Sequence, residues 1–221
     1  MATTPDSHRS LKEFVTVYRC PLPAHVVRVR VMGAIASPVG PTSPLETMRT
    51  LWGGELPTLP TVEQFQGLLE TFVGGIWNDL VSHQTPETPF ALVPVDLAMT
   101  QEGLHRYART RSEEVIGFLE GILGGGDSVD VPPESHEALG ILEELASMLL
   151  GITDLFERGD GADGVTGYTQ LAQNLAELTT IATVEMNRVI QASYEARQLT
   201  TAVTRSPRRA ASRRSRTTRG R

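Results

Sequence analysis

The chain has 221 residues, 40% of them apolar and only 5% aromatic, with one cysteine and a formal net charge of −6. A single cysteine excludes an intramolecular disulfide and a cysteine-based zinc site. The longest apolar stretches, such as Ala146–Ile152, fall far short of the ~20 residues that span a bilayer. The charge is also divided: residues 205–221 carry eight arginines and no acid (+8), while the other 204 carry 12 basic and 26 acidic side chains (−14). That division predicts a folded acidic body and a solvated arm that seeks polyanions.

Leu11, Phe14, Val15 and Tyr18 repeat at helical spacing and predict a short amphipathic helix, broken at Cys20-Pro21-Leu22-Pro23. The run from His25 to Met32, β-branched and alternating, reads locally as a strand. Three prolines and a glycine in Ser37–Pro44 predict an irregular turn. Leu45, Met48, Leu51 and Trp52 then fit one short helix stopped by Gly53-Gly54, and Leu56–Pro60 is a linker. Thr61-Val62-Glu63-Gln64 has the form of a capping box. The stripe after it (Phe65, Leu68, Leu69, Phe72, Val73, Ile76, Leu80) is the strongest helix signal of the first half. Gly74-Gly75 inside that stripe predicts a closely packed neighbour.

Ser82–Pro94, with three prolines, is expected to be a long loop pinned to the core by Phe90 and Leu92. Leu104, Tyr107, Ala108, Val115, Phe118, Leu119 and Ile122 predict another helix, ended by Gly124-Gly125-Gly126. The helix after Pro132-Pro133 has a wide apolar face and is expected to be the most buried. A Gly/Asp turn at 158–164 precedes a last long helix over 164–200, with Leu171, Leu175, Leu178, Ala182 and Val189 near 4-3 spacing. Residues 1–10 and 201–221 lack the apolar content to offset ordering entropy and are expected to be disordered.

Three stretches together resemble the YecA/YgfB type of uncharacterised bacterial protein. The first is Met32-Gly33-Ala34-Ile35-Ala36-Ser37-Pro38, followed by a proline turn and Leu51-Trp52-Gly53-Gly54-Glu55. The second is Phe65-Gln66-Gly67-Leu68-Leu69 through Ile76-Trp77-Asn78-Asp79-Leu80 to Pro89-Phe90. The third is Val115-Ile116-Gly117-Phe118-Leu119-Glu120-Gly121-Ile122. The resemblance covers roughly 11–156 and rests on the order of weak motifs. It implies an all-α fold, makes 25–32 a helix, and carries no known catalytic activity; it implies a binding role without naming a partner. The chain departs from the pattern at Arg28-Val29-Arg30-Val31, where the family has Leu-Asp-Gly-aromatic. It departs again at Glu113-Glu114-Val115, where a tryptophan is common. The cysteine-rich zinc knuckle that ends many members is replaced by the arginine segment.

No motif for chemistry emerges. Gly124-Gly125-Gly126 lacks the Lys-Ser/Thr of a phosphate loop, and Lys12 is the only lysine. Asp160-Gly161-Ala162-Asp163-Gly164 lacks calcium-loop spacing. No two of His8, His25, His83, His105 and His136 are three or four apart. Cys20 has no partner histidine in sequence, and no Gly-x-Ser-x-Gly elbow is present. Glu113-Glu114 and Glu143-Glu144 read as solvated faces. No catalytic, cofactor or metal residue is therefore assigned.

The expectation is a single all-α domain of about six or seven helices, with a helical body over 11–200 and a basic tail over 201–221. It is expected to be soluble, cytoplasmic and non-catalytic, an adaptor or regulator of other macromolecules with no membrane contact. Arg205, Arg208, Arg209, Arg213, Arg214, Arg216, Arg219 and Arg221 would contact RNA, ribosome or DNA through phosphates; without interleaved aromatics they would read no sequence. Trp52 and Trp77 are the candidate protein contacts. The alternative is a structural homodimer with a passive tail, paired through Leu175 and Leu178 of the long helix.

Overall fold

The computed structural model describes residues 5–38, 43–124, 126, 131–159 and 164–205. In chain order it has α1 (Pro5–Val17), α2 (Ala24–Ala36), α3 (Pro44–Thr50) and α4 (Val62–Leu69). A π-helix (Glu70–Trp77), α5 (Asn78–Val81) and a 3₁₀ turn (Ser82–Gln84) continue α4 as one rod. Then come α6 (Gln101–Leu123), α7 (Pro133–Glu157) and α8 (Gly164–Arg205). With that rod counted once, the described residues hold seven helices and no strand, as the all-α expectation required. Helix begins at Pro5 and runs to Arg205, so regular backbone extends beyond both ends of the expected 11–200 body.

α2 is the axis of the fold. Val27, Val29, Val31, Met32, Ile35 and Ala36 are all buried, so the helix has no solvent face and no amphipathic period to read. A helix apolar all round belongs inside a protein, and burial overrides the β preference of its valines. α6 lies against α2, α7 against α6, and α8 against α7, α6 and α2. The α2–α6 contact is backbone to backbone. A Cβ on Gly33 would lie 2.2 Å from the Phe118 carbonyl oxygen, and one on Gly121 would lie 2.2 Å from the Arg30 carbonyl oxygen. Gly117 opens room for Val29 and Val26 in the same way. Gly117 and Gly121, one turn apart on α6, are thus the seat for α2.

On the other side of α2, Phe14 of α1 gathers an aromatic cluster. Its ring centroid lies 5.5 Å from Tyr18, 5.8 Å from Trp52 and 5.8 Å from Phe72. Local stops and starts follow the expected chemistry. Thr61 Oγ1 accepts from the Gln64 N–H at 3.3 Å and Thr100 Oγ1 from the Gly103 N–H at 3.1 Å. α6 ends at Gly124 in the left-handed conformation, φ +59°.

Three expectations are corrected. Gly74 is exposed and a Cβ there would meet nothing within 4 Å. Gly74-Gly75 instead lies in the π-helix, whose wider turns bring Phe72, Ile76 and Trp77 together on the core side. α7 is not the most buried helix: Met148, Leu150 and Leu155 are exposed, because its apolar face is wider than the contact α6 and α8 offer. Leu175 is fully buried in the chain's own core, so it cannot serve a homodimer; Leu178 is half-buried.

Candidate functional site

The arginine cluster begins at the end of α8. Arg205 is the last residue of that helix; Arg208, Arg209, Arg213, Arg214, Arg216, Arg219 and Arg221 lie outside the described residues, as does all but 201–205 of the tail expected to be disordered over 201–221. Leu199 is 69% exposed and residues 198–200 are all exposed, just before the basic segment starts. Cations at a helix C-terminus also face the negative end of its dipole.

The two tryptophans part company. Trp77 is buried, its ring 6.4 Å from that of Phe72, and it has no face for a partner; its assignment as a contact residue is withdrawn. Trp52 is half-buried and borders a groove of about 530 Å³ with Tyr18, Arg19, Pro57, Leu59 and Pro60. The linker at 56–60 forms one wall and the end of α1 the other. Arg19 holds a left-handed backbone, φ +50°, because α1 closes with the Cys20 N–H donating to the Val15 carbonyl at 3.0 Å. The groove thus offers aromatic and proline surface around one guanidinium, a lining suited to extended peptide.

A second cluster was invisible in the sequence. The segment at 90–93 is strapped to three helices by buried and half-buried polar side chains. Asn187 of α8 takes both polar groups of Phe90: its Oδ1 accepts from the Phe90 N–H and its Nδ2 donates to the Phe90 carbonyl, each at 2.8 Å. Arg28 of α2 donates to the Ala91 carbonyl at 2.5 Å and lies 4.3 Å above the Phe90 ring. Arg111 of α6 donates to the Val93 carbonyl at 2.7 Å and pairs with Glu114 one turn on. Glu114 in turn accepts from the Val93 N–H at 3.1 Å.

Arg28, Arg111 and Glu114 are all buried, which corrects the reading of Glu113-Glu114 as a solvated face. Only Glu113 reaches the surface, where it holds His25 at 2.8 Å and Arg109 at 3.0 Å. Burial pushes the Arg28 guanidinium down to about 10 against the opposing pull of Glu114 and Asp79. Burial likewise pushes the Glu114 carboxyl up, against Arg111 and the Val93 N–H. Each side chain of the cluster bonds the strap, while Arg28 Nη2 and Arg111 Nε are buried without a hydrogen-bond partner; its chemistry is that of a clamp.

Cys20 is buried, and burial pushes its thiol up, which opposes nucleophilic use. Among the described residues no three His, Cys, Asp or Glu side chains are grouped to hold a metal ion, and no helix is long and apolar enough to cross a membrane. His83 is tied to the Thr88 carbonyl at 2.9 Å, and His105 lies against Phe156. No protein-family model, curated protein or solved structure matches this chain.

Proposed function

We propose that this protein is a non-catalytic, cytoplasmic adaptor or regulator: its helical body contacts protein, and its arginine segment attaches it to RNA, ribosome or DNA. The observation that carries the reading is the charge division, eight arginines without an acid in residues 205–221 against a body of net −14. Clustered guanidiniums gain affinity by releasing the counterions of a polyphosphate. The exposure of residues 198–200, just before the basic segment begins, supports it. On the body, the groove beside Trp52 is the surface we assign to protein contact. We also read the chain as an outlying relative of the YecA/YgfB type. The seating of α2 on Gly117 and Gly121 gives the Gly-Phe-Leu-x-Gly motif of that resemblance a physical reason.

The test compares the full chain with a version ending at Thr204 for binding to single-stranded RNA and duplex DNA at two salt concentrations. The full chain is expected to bind in a salt-sensitive way and the shortened one to lose most of that affinity. Equal, salt-insensitive binding by the two would remove the arginine segment from the account.

A further inference from the structure

Among the described residues that line the groove beside Trp52, Arg19 is the one that carries charge. It is exposed and enters no ion pair among the described residues. Arg30, Arg109 and Arg188, by contrast, are each held by a glutamate of their own chain. An unneutralised guanidinium in a lining without acids favours an anionic occupant and disfavours a cationic one. The chain's own arginine segment is thereby a poor occupant.

The backbone at Arg19 points the same way. Its φ of +50° lies in a region that glycine fills at lower cost. Strain of this kind concentrates where a side chain is needed for function.

The walls suit a rigid, extended chain. Tyr18 and Trp52 supply aromatic surface, and Pro57 and Pro60 restrict the backbone of the linker wall. A wall restricted in this way costs little to order when an occupant arrives. Aromatic-lined grooves take polyproline segments, whose extended helix is itself preformed. That helix has three residues per turn, so side chains at every third position share one face. Prolines at two such positions meet the aromatic surface while an acid at a third meets Arg19. We infer that the groove binds a proline-rich segment of a partner protein with glutamate or aspartate a turn beyond its prolines. The inference rests on the assignment of this groove to protein contact and adds the chemistry of the partner.

Magnetic resonance of the isotope-labelled full chain, at about 0.15 M salt, tests it. The probe is the acetylated and amidated peptide Pro-Pro-Ala-Pro-Pro-Glu-Glu. The indole N–H signal of Trp52 should shift on titration while that of Trp77, buried in the core, stays in place. The same peptide with arginine in place of both glutamates should bind about threefold or more weakly. Arg19→Glu, a change at an exposed position, should reverse that order, and the gain for the arginine peptide is an effect that misfolding cannot produce. Equal binding of the two peptides by wild type and variant would overturn the inference and leave the groove a peptide site. A Trp52 signal that moves with neither peptide would overturn both the inference and the assignment of the groove. A peptide-free chain that dimerises as concentration rises, and no longer does so with Arg19→Glu, would name a second copy as the occupant and overturn the inference as well.

Discussion

Gly33 of α2 and Gly121 of α6 make room for each other's backbones: a Cβ on either would stand 2.2 Å from a carbonyl oxygen of the opposite helix. Backbone atoms cannot swing aside as a side chain can. Gly33→Ala or Gly121→Ala should therefore push the two central helices apart and cost about 3 kcal/mol or more. Gly74→Ala is the control. A Cβ there meets nothing within 4 Å, and helix propensity should make the change neutral or stabilising by up to ~1 kcal/mol. Urea denaturation of the three variants measures both outcomes.

Asn187 should prove to be the pin of the 90–93 strap. Asn187→Ala strips the Phe90 amide and carbonyl of their partners and leaves them buried, at about 1–3 kcal/mol. Hydrogen exchange should accelerate at the Phe90 amide. The Val93 amide, held by Glu114, should be affected less. Equal acceleration at the two amides would mean that the strap opens as a unit and has no separate pin.

Glu114 should leave a signature in pH. Its carboxyl titrates higher in the fold than the ordinary 4.5 because it is buried. Such a group favours the folded state while protonated and loses that contribution as pH rises through its folded value. The stability of the wild type relative to Glu114→Gln should therefore be greatest below about pH 4.5 and shrink as the pH climbs. Denaturation of both proteins at about pH 4 and about pH 7 gives the difference; a difference that grows with pH would contradict the assignment.

Arg19 occupies a left-handed backbone, φ +50°, which an L side chain resists by roughly 1–2 kcal/mol. Arg19→Gly should release part of that strain, offset by glycine's greater freedom when unfolded, for a net gain of about 0.5–1 kcal/mol. If Arg19 serves the Trp52 groove, the more stable variant should also bind peptide less well. Thermal denaturation paired with peptide titration separates the two effects.

Much of the helical order was legible residue by residue. Thr61 and Gly124 are local signals, and the hydroxyl of one and the backbone conformation of the other act within a turn of where they stand in the chain. α2 was not legible from its own residues, because periodicity appears only when one face meets water and α2 has none. The stripe resemblance to YecA/YgfB proteins, not the valines, pointed to helix there.

The strap cluster was hidden for a different reason. Arg28 looks like a stray charge in a valine run, and Glu114 looks like half of a surface acid pair. Their partners are backbone groups of a loop whose position only the tertiary fold determines.

The most direct measurement of the central claim is the salt dependence of the full chain's affinity for single-stranded RNA. Each phosphate neutralised contributes about −0.7 to the slope of log affinity against log salt. Engagement of all eight arginines of the C-terminal segment gives a slope near −5 to −6, and changing four of them to glutamine should roughly halve it. A slope near zero, or one unchanged by those substitutions, would contradict the account.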